Sequence, residues 1–552
     1  MSVERAAPQV RHLRQVLLWP LRLMPLAGPD GMRPWQVLRD MGAGSPWREV
    51  VDEYTGAQDQ FHERHYNEFV TFLPYVQRFL YGEGRARRNT GDPDSDSPMR
   101  VFRRSDIAQV RVVTSVGAEP VLLDIVHVDL YFFLDVDLVL LNLEVSANNL
   151  TLAQAQELLY RFGRGYPAGW DARGQALHCL SSVEWLNAAG AVLARSDAQE
   201  QDLFLAHVAE HRAPRIAAHW AFVMQPLVAD HSGEPARLRF RQIEYYRMPL
   251  MGYLALSDPT ALERSDFIRL GLVTGTAPGD TKAEATLPYS EQHLSDFEQR
   301  FCYDRFWSAG GAAPHTRYLC SGHSLVVLGD AGSEYFGCRD RGVLAQFRHQ
   351  HFLLFLIAHF QKAALLMYSD RLVEALKGLN VEDANSVRRF KREIRNSFGG
   401  FLRFTHRYWF HEVSEQAQVR ALFHMCATHL GLDPLYAKVK ERIADMNEYL
   451  DADSLRRQAN TVVRLTVVTI LGLIGTVTTG FLGMNLLAEA DAPMGRRMAI
   501  FAVVFVLTTA LTIYTIAKSK RLSDFLDLLS DERLSVWQKC KSLAAVWRPG
   551  VD

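Results

Sequence analysis

The chain has 552 residues, of which 48% are hydrophobic and 11% aromatic, so it is able to bury large cores. Its 61 Lys and Arg residues nearly balance its 62 Asp and Glu residues. The net charge of −1 argues against a protein that coats nucleic acid and against an acidic disordered chain. The six cysteines include no C-x-x-C pair, which predicts reduced thiols in a cytosol rather than a disulfide framework or a structural zinc site.

The N-terminal segment, residues 1–98, is predicted to be mostly helical, with a helix pair within 47–81. An apolar run at 16–24 is interrupted by Pro and Arg and lacks a cleavage site, so we expect no secretory signal. A loop at 88–98, rich in Gly, Pro and Asp, ends this segment.

Residues 99–343 are predicted to form an α+β domain. Apolar and β-branched stretches predict strands, at 110–116, 121–128, 129–134, 138–145, 238–246 and 325–328. Thr151 and Gln154 form a capping box that opens a helix, and Gly163 is expected to end it. Residues 257–315, richer in Pro, Gly and Thr, predict an irregular insertion.

Residues 344–460 have a helical pattern and are predicted to end in a stalk. Asp433 and Pro434 supply an N-cap and a first helical position. No Gly or Pro then occurs between Leu435 and Leu471, so one helix of about 50 residues, roughly 75 Å long, is expected to continue towards Gly483.

A transmembrane hairpin is predicted at 461–520. Its two spans, 465–482 and 499–517, contain no charged residue. Each would be about 27–29 Å long as a helix, which matches a hydrocarbon core of about 30 Å. The alternative is a buried hairpin in a soluble fold.

Basic residues flank this hairpin unequally. Three basic residues precede the first span and three follow the second, whereas the loop that connects the spans has two. In that order, they are Arg456, Arg457 and Arg464, then Lys518, Lys520 and Arg521, then Arg496 and Arg497. By the positive-inside rule, both termini are cytoplasmic and the chain is a multi-pass protein of the plasma or inner membrane.

The first span ends in Gly483-Met484-Asn485. This tripeptide, placed after a long stalk helix and an α+β domain and before a second span, resembles the CorA superfamily of divalent cation channels and transporters. The resemblance covers residues 345–520 well and the strand-rich region in outline. It implies a homopentamer in the lipid bilayer, with the first span lining a pore for a divalent cation such as Mg²⁺. It implies no catalytic site, so we do not expect an enzyme.

The motif has a physical interpretation. Mg²⁺ gives up its water reluctantly, so a ring of Asn485 amides and Gly483 carbonyls would bind the ion through its water molecules, while Met484 shapes the turn. The outer loop carries two acids, Glu489 and Asp491, which its two arginines offset.

Helical spacing back from Gly483 defines a predicted pore-facing row: Gly480, Thr476, Leu473, Thr469, Leu465 and Val462. Its small and hydroxylated members would offer oxygen contacts to a hydrated ion. Its Leu and Val members would form apolar collars that gate by dewetting. The alternative is that the small residues only permit close helix packing.

Basic residues at the inner mouth, a feature of the family, form a predicted collar of Arg456, Arg457, Lys518, Lys520 and Arg521. Topology signalling explains them as well. The tail, 521–552, has an amphipathic pattern with Leu522, Phe525, Leu526, Leu529 and Val536 on one face. It is expected to pack on the stalk or lie on the membrane surface.

The chain departs from the family pattern in two places. Leu482 stands where the family often has an aromatic residue, and the outer loop lacks a Met-Pro-Glu run. These departures leave two alternatives open: transport of zinc or another transition metal, and a membrane-anchored sensor or scaffold that does not conduct.

Enzyme motifs are few. His207, Glu210 and His211 match the H-x-x-E-H pattern of a zinc peptidase, which keeps a membrane-tethered hydrolase as a third class. No G-x-x-x-x-G-K-[ST] or G-x-S-x-G sequence occurs, so neither ATP-driven pumping nor a serine hydrolase is supported.

Overall fold

The structure is a computed structural model that falls into two compact units, Met1–Ile443 and Ala444–Asp552. It describes residues 8–26, 32–50, 63–82, 98–276, 287, 289–380, 383–483, 493–499, 502–504, 506–507, 509–510 and 514.

The described strands form one 14-stranded mixed sheet. Their bounds are β1 Gln9–Leu23, β2 Trp47–Glu49, β3 Met99–Arg104, β4 Gln109–Val113, β5 Val121–Phe133, β6 Leu138–Thr151, β7 Ser182–Leu186, β8 Val192–Arg195, β9 Val228–Ala229, β10 Arg239–Gln242, β11 Leu250–Leu256, β12 Cys302–Tyr303, β13 Arg317–Cys320 and β14 Ser324–Asp330. The main order is β12-β13-β14-β11-β1-β6-β5-β4-β7-β8; β10 pairs with β1 and β9, and β3 pairs with β5 and β2. Pairing is antiparallel except between β11 and β14 and between β9 and β10.

The helices of the described chain have the bounds α1 Pro34–Met41, α2 Glu63–Thr71, α3 Pro74–Tyr81, α4 Leu152–Arg161, α5 Gln201–His211, α6 Ala218–Met224, α7 Arg264–Leu272, α8 Glu291–Phe301, α9 Glu334–Gly337, α10 Val343–Gln346, α11 Phe352–Lys377, α12 Ala384–Tyr408, α13 Ala417–Leu430 and α14 Leu432–Gly483. A π-helical turn, Phe347–His351, joins α10 to α11. Short 3₁₀ turns lie at Gly42–Gly44 and Pro259–Ala261.

The longest strand, β1, lies near the centre of the sheet, and this corrects the prediction that residues 1–98 form a mostly helical segment. One side of β1 pairs with β6 along nearly its whole length. The other side pairs with β11 as far as Leu17 and with β10 from Leu21. Pro20, which has no N–H to donate, lies in the gap between those two partners, so it does not break the ladder.

The two faces of β1 are both covered, which explains why its sequence lacks the alternation of a half-buried strand. Leu17 and Trp19 belong to the core that includes Leu159 of α4. Arg22 faces the opposite way, where it donates to Asp370 and, at 2.6 Å, to Glu374 of α11. The sheet therefore lies between two layers of helices.

Several predicted elements match the structure, with changes of boundary. The two strands predicted at 121–134 are one strand, β5, and the strand after them extends to Thr151 as β6. Thr151 and Gln154 form the predicted capping box of α4. A Cβ at Gly163 would lie 2.7 Å from Leu17 Cδ2, so a larger residue there would force the Leu17 side chain to move.

The predicted irregular insertion, 257–315, is more ordered than expected, because it contains the helices α7 and α8. Each begins at a capping signal. The Glu263 and Asp266 side chains form a capping box at α7, and the Ser290 hydroxyl accepts a hydrogen bond from the His293 N–H at α8. Composition did not predict these helices, because the Gly, Pro and Thr residues in the connecting chain dominate the composition of the segment.

One helical run among the described residues, Val343–Lys377, is long and apolar enough to cross a membrane by length and composition. Its most apolar stretch is 83% buried inside the fold, and Ile357, His359 and Gln361 have no exposed surface. Such burial is typical of a core helix, and the polar residues His359, Gln361 and Lys362 interrupt the apolar run. A shorter apolar stretch, Thr461–Leu473, lies in α14.

Candidate pore-lining helix

The candidate site lies on α14, a helix of 52 residues, which corresponds to about 78 Å. Gly431, at φ +65°, ends α13 in the left-handed conformation and lets the chain start α14 at once. The Leu435 N–H donates to the Gly431 carbonyl at 3.1 Å. The observed bounds agree closely with the helix predicted from Asp433 and Pro434 onward.

One side of the uncharged part of α14 is covered and the other is exposed. Val467 is only 7% exposed, and Val463 and Leu471, one turn away on either side, are intermediate. Residues spaced by four share a helix face, so these three define the covered side. The predicted pore-facing row lies roughly opposite to it, at 100° per residue.

The apolar members of that row are exposed in the single chain. Leu465 is 69% exposed, Leu473 65% and Val462 63%. Three large apolar side chains in one line on a helix surface are costly to leave in water, which favours a lipid or protein environment for this face.

The two threonines of the row direct their hydroxyl hydrogens into the helix. Thr469 Oγ1 donates to the Leu465 carbonyl at 2.8 Å, and Thr476 Oγ1 donates to the Gly472 carbonyl at 2.9 Å. Each hydroxyl oxygen therefore keeps its lone pairs free to accept from the water shell of a cation. Thr466 and Thr479, which lie outside the row, make equivalent bonds, so this arrangement does not distinguish the row.

The described part of the chain contains only some of the other predicted site residues. Gly483 is the last residue of α14, and Gly480 lies one turn before it, both exposed. Arg456 and Arg457 lie within α14, but their side chains are outside the description. The predicted residues that lie outside the described chain are Met484, Asn485, Glu489, Asp491, Lys518, Lys520, Arg521 and the whole tail from 521 to 552. Of the second span, 499, 502–504, 506–507, 509–510 and 514 are described, and those residues are helical.

Two acids within the predicted strands, Asp129 and Glu144, are buried and paired with arginine. Arg103 donates to both carboxylate oxygens of Asp129, at 2.7 and 3.1 Å. Glu144 accepts from Arg14 at 2.5 Å and lies 3.3 Å from Arg348 Nε. The charge of both acids is therefore already balanced by arginines of the protein.

Two further acids, Asp135 and Asp137, bind the helices that cover the sheet. Asp135 accepts from Arg407 of α12, and Asp137 accepts from Arg371 of α11. Both acids lie at the turn between β5 and β6, as a hairpin predicts. All four carboxylates thus have arginine partners, and none could bind a cation without giving up an ion pair with arginine.

Sequence reasoning missed the polar cluster between the sheet and the π-helical turn. Arg348 of that turn reaches Glu144 on β6, and His349 Nδ1 lies 3.0 Å from Glu68 Oε2 of α2. Gln350 Nε2 donates to Thr71 Oγ1 at 3.0 Å. A signal for the cluster exists in the sequence, since Asn142 and Glu144 place polar side chains in the buried part of β6.

The H-x-x-E-H match lies at the end of α5. The rings of His207 and His211 are 4.5 Å apart, and His231 is 4.8 Å from His207 and 5.8 Å from His211. Burial, then the neighbouring imidazoles, lower the pKa of His207 and His231, so the neutral forms are favoured. The carboxylate of Glu210 is 76% exposed. In the described part of the chain, no group of three or more His, Cys, Asp or Glu side chains is arranged to hold a metal ion.

Comparisons with protein-family models, with curated proteins and with solved structures found no match to this chain. The features of this chain that bear on its function are α14, the uncharged residues within it and the motif at its end.

Proposed function

We propose that this chain is a subunit of a passive divalent-cation channel or transporter of the CorA type, with Mg²⁺ as the favoured ion, and that it is not an enzyme. The observation that carries the proposal is the single helix Leu432–Gly483. Its last third, 465–482, has no charged residue, and it ends at the glycine of Gly483-Met484-Asn485. A soluble domain has little use for so long a helix with an apolar end, whereas a stalk that enters a membrane requires one.

In this proposal, the hydrated ion first meets Asn485 amides and Gly483 carbonyls at the outer end of the helix. It then passes the hydroxyl oxygens of Thr476 and Thr469, whose hydrogens are bonded within the helix. The membrane potential drives the movement, since two charges that cross 100 mV gain about 4.6 kcal/mol. No nucleotide site is needed, in keeping with the lack of a phosphate-binding loop sequence.

One chain with two spans cannot enclose a pore, so the proposal requires self-association. The exposed apolar row of Val462, Leu465 and Leu473 supports an arrangement in which this face meets copies of itself around an axis. A homopentamer is the state that the family resemblance implies. Both termini then lie in the cytoplasm, and the partners are lipid, the transported cation and further copies of the chain.

Ion flux into liposomes tests the proposal. Wild-type protein should admit Mg²⁺ down its gradient, and Asn485→Ala should reduce the flux to background while assembly is unchanged by mass measurement. Asn396→Ala, which removes an exposed amide on α12, is the matched control and should leave the flux unchanged. Transport by Asn485→Ala at the wild-type rate would show that the filter assignment is wrong.

The same assay with Zn²⁺, Co²⁺ and Ni²⁺ decides between magnesium and transition-metal transport.

A second candidate function is a membrane-anchored sensor or scaffold, and the size of the first unit favours it, because Met1–Ile443 contains the whole described sheet. That candidate predicts an assembled protein in lipid that passes none of the four cations.

A further inference from the structure

The helix α12 carries an exposed basic stripe on the side opposite its buried face. Its 25 residues include seven Lys and Arg and one Glu. Phe390, Ile394, Phe401 and Phe404 are buried on one side. Arg388, Arg392 and Arg395 are exposed and, at positions i, i+4 and i+7, share the opposite side. These three arginines are called the basic stripe below.

The basic stripe has no partner in the described chain. Arg403 and Arg407, further along the same helix, both reach Asp135. The described residues offer Arg388, Arg392 and Arg395 no comparable carboxylate within ion-pair distance. A line of three unpaired guanidinium groups on a rigid helix is a preorganised surface for carboxylates or phosphates.

The helix α14 carries acids at the same spacing. Glu441, Asp445 and Glu448 also occupy positions i, i+4 and i+7, all three are exposed, and they are called the acidic stripe below. Val439 and Ile443 are buried on the other side of that part of the helix. Glu441 accepts from Lys438 at 3.0 Å, so one of the three acids is already shared with a lysine.

The two stripes match in length. At 1.5 Å per residue, the charges of each stripe lie at about 0, 6 and 10.5 Å along the helix axis. If the helices run parallel, three Arg–carboxylate pairs form in register. If they run antiparallel, the middle pair is displaced by about 1.5 Å, which an arginine side chain spans easily. Arg392 lies opposite Asp445 in both cases.

We propose that the basic stripe of one copy of this chain binds the acidic stripe of a second copy. All six residues belong to the described part of the chain and are exposed. The acidic stripe is complementary to the basic stripe in both charge and spacing. This favours a second copy of the chain as the binding partner over an anionic lipid or an acidic peptide. This inference rests on the self-association required by the proposed function. Exposed ion pairs add little affinity singly, but a set of three fixes the register of two helices and is sensitive to salt.

Covalent capture between copies tests the contact. Two tagged full-length chains are co-expressed, one with Arg392→Cys and one with Asp445→Cys, both with the partly exposed Cys338 replaced by serine. Mild oxidation should join the two tags in one covalent dimer. Arg392→Cys with Glu119→Cys, which places the second thiol on an exposed acid elsewhere, is the matched control and should give no dimer above background.

Charge reversal gives an independent measurement. R388E/R392E/R395E should weaken self-association by roughly tenfold or more at low salt, and E441R/D445R/E448R should do the same. Combining both sets in one chain should restore it. Wild-type protein that is monomeric would overturn this inference and the proposed function together. An assembled, conducting wild type with no specific cross-link and no effect of reversal would overturn this inference alone. Loss of binding to anionic vesicles with unchanged self-association would assign the basic stripe to lipid instead.

Discussion

The carboxylate of Glu144 shows how single residues join distant parts of the chain. It lies on β6, is buried, and contacts the guanidinium groups of Arg14 on β1 and Arg348 on the π-helical turn. His127 Nε2 lies 3.9 Å from its second oxygen. A buried anion between two cations offsets their desolvation, so removing the anion leaves two unbalanced charges in the interior.

We expect Glu144→Gln to lower the free energy of unfolding by about 3–5 kcal/mol, the range found when one partner of a buried ion pair is removed. Denaturant unfolding of the purified full-length protein measures the change. Glu119→Gln, on an exposed turn, is the control and should change the stability by less than about 0.5 kcal/mol. A loss below about 1 kcal/mol for Glu144→Gln would mean that solvent or repacking replaces the carboxylate.

At the scale of elements, α14 separates a covered face from an exposed one within a stretch that contains no charged residue. Val467 lies on the covered face and Leu465 on the predicted pore-facing row, two residues apart. A step of two residues turns the helix by about 200°, so these neighbours in sequence have opposite surroundings. The same polar substitution should therefore have different effects at the two positions.

Leu465→Asn should wet the predicted collar and increase the resting cation leak, because an apolar constriction blocks ions by excluding water. Val467→Asn should instead reduce the amount of folded protein, since it buries an amide on the covered face, and the protein that does assemble should show no added leak. The two variants are compared by cation flux into liposomes, without an applied gradient of any other ion. Their assembly is measured in parallel. Equal currents from Leu465→Asn and wild type would count against this face as the pore lining.

At the scale of the whole molecule, the first unit contains several buried histidines that are held neutral. Burial lowers the pKa of His351 and His323 to about 3 and that of His219 to about 4. An unfolded histidine has a pKa near 6.5, so below that pH the unfolded chain binds protons that the folded chain does not. Stability contributed by neutral burial is present above pH 6.5 and declines as the pH falls towards the folded pKa.

His351→Leu should reduce this acid sensitivity. In the described structure, neither ring nitrogen of His351 has a hydrogen-bond partner, so leucine removes the titrating group without breaking a bond. Between pH 8 and pH 5, the wild type should lose about 2 kcal/mol more unfolding free energy than the variant. Thermal or denaturant unfolding at both pH values gives the comparison, with the exposed His406→Leu as control. Identical pH dependence in wild type and His351→Leu would contradict neutral burial.

The sequence by itself determined the features that local chemistry encodes. Capping residues and the lack of Gly and Pro predicted α14 and its bounds, and the Thr151 capping box predicted the start of α4. The uncharged spans and the motif at Gly483 are also properties of consecutive residues, because membrane length and turn geometry are read over one short stretch of chain.

Only the tertiary structure decided which residues share an interior. The run that contains Pro20 became a central strand because β6 and β11, more than a hundred residues away, pair with its two edges, while helices cover both of its faces. No local pattern in the sequence specifies those partners. Arg14, Glu144 and Arg348 likewise meet only after the sheet and the π-helical turn have packed. Long-range pairing fixes these contacts, and a helix or strand signal contains no information about its partner.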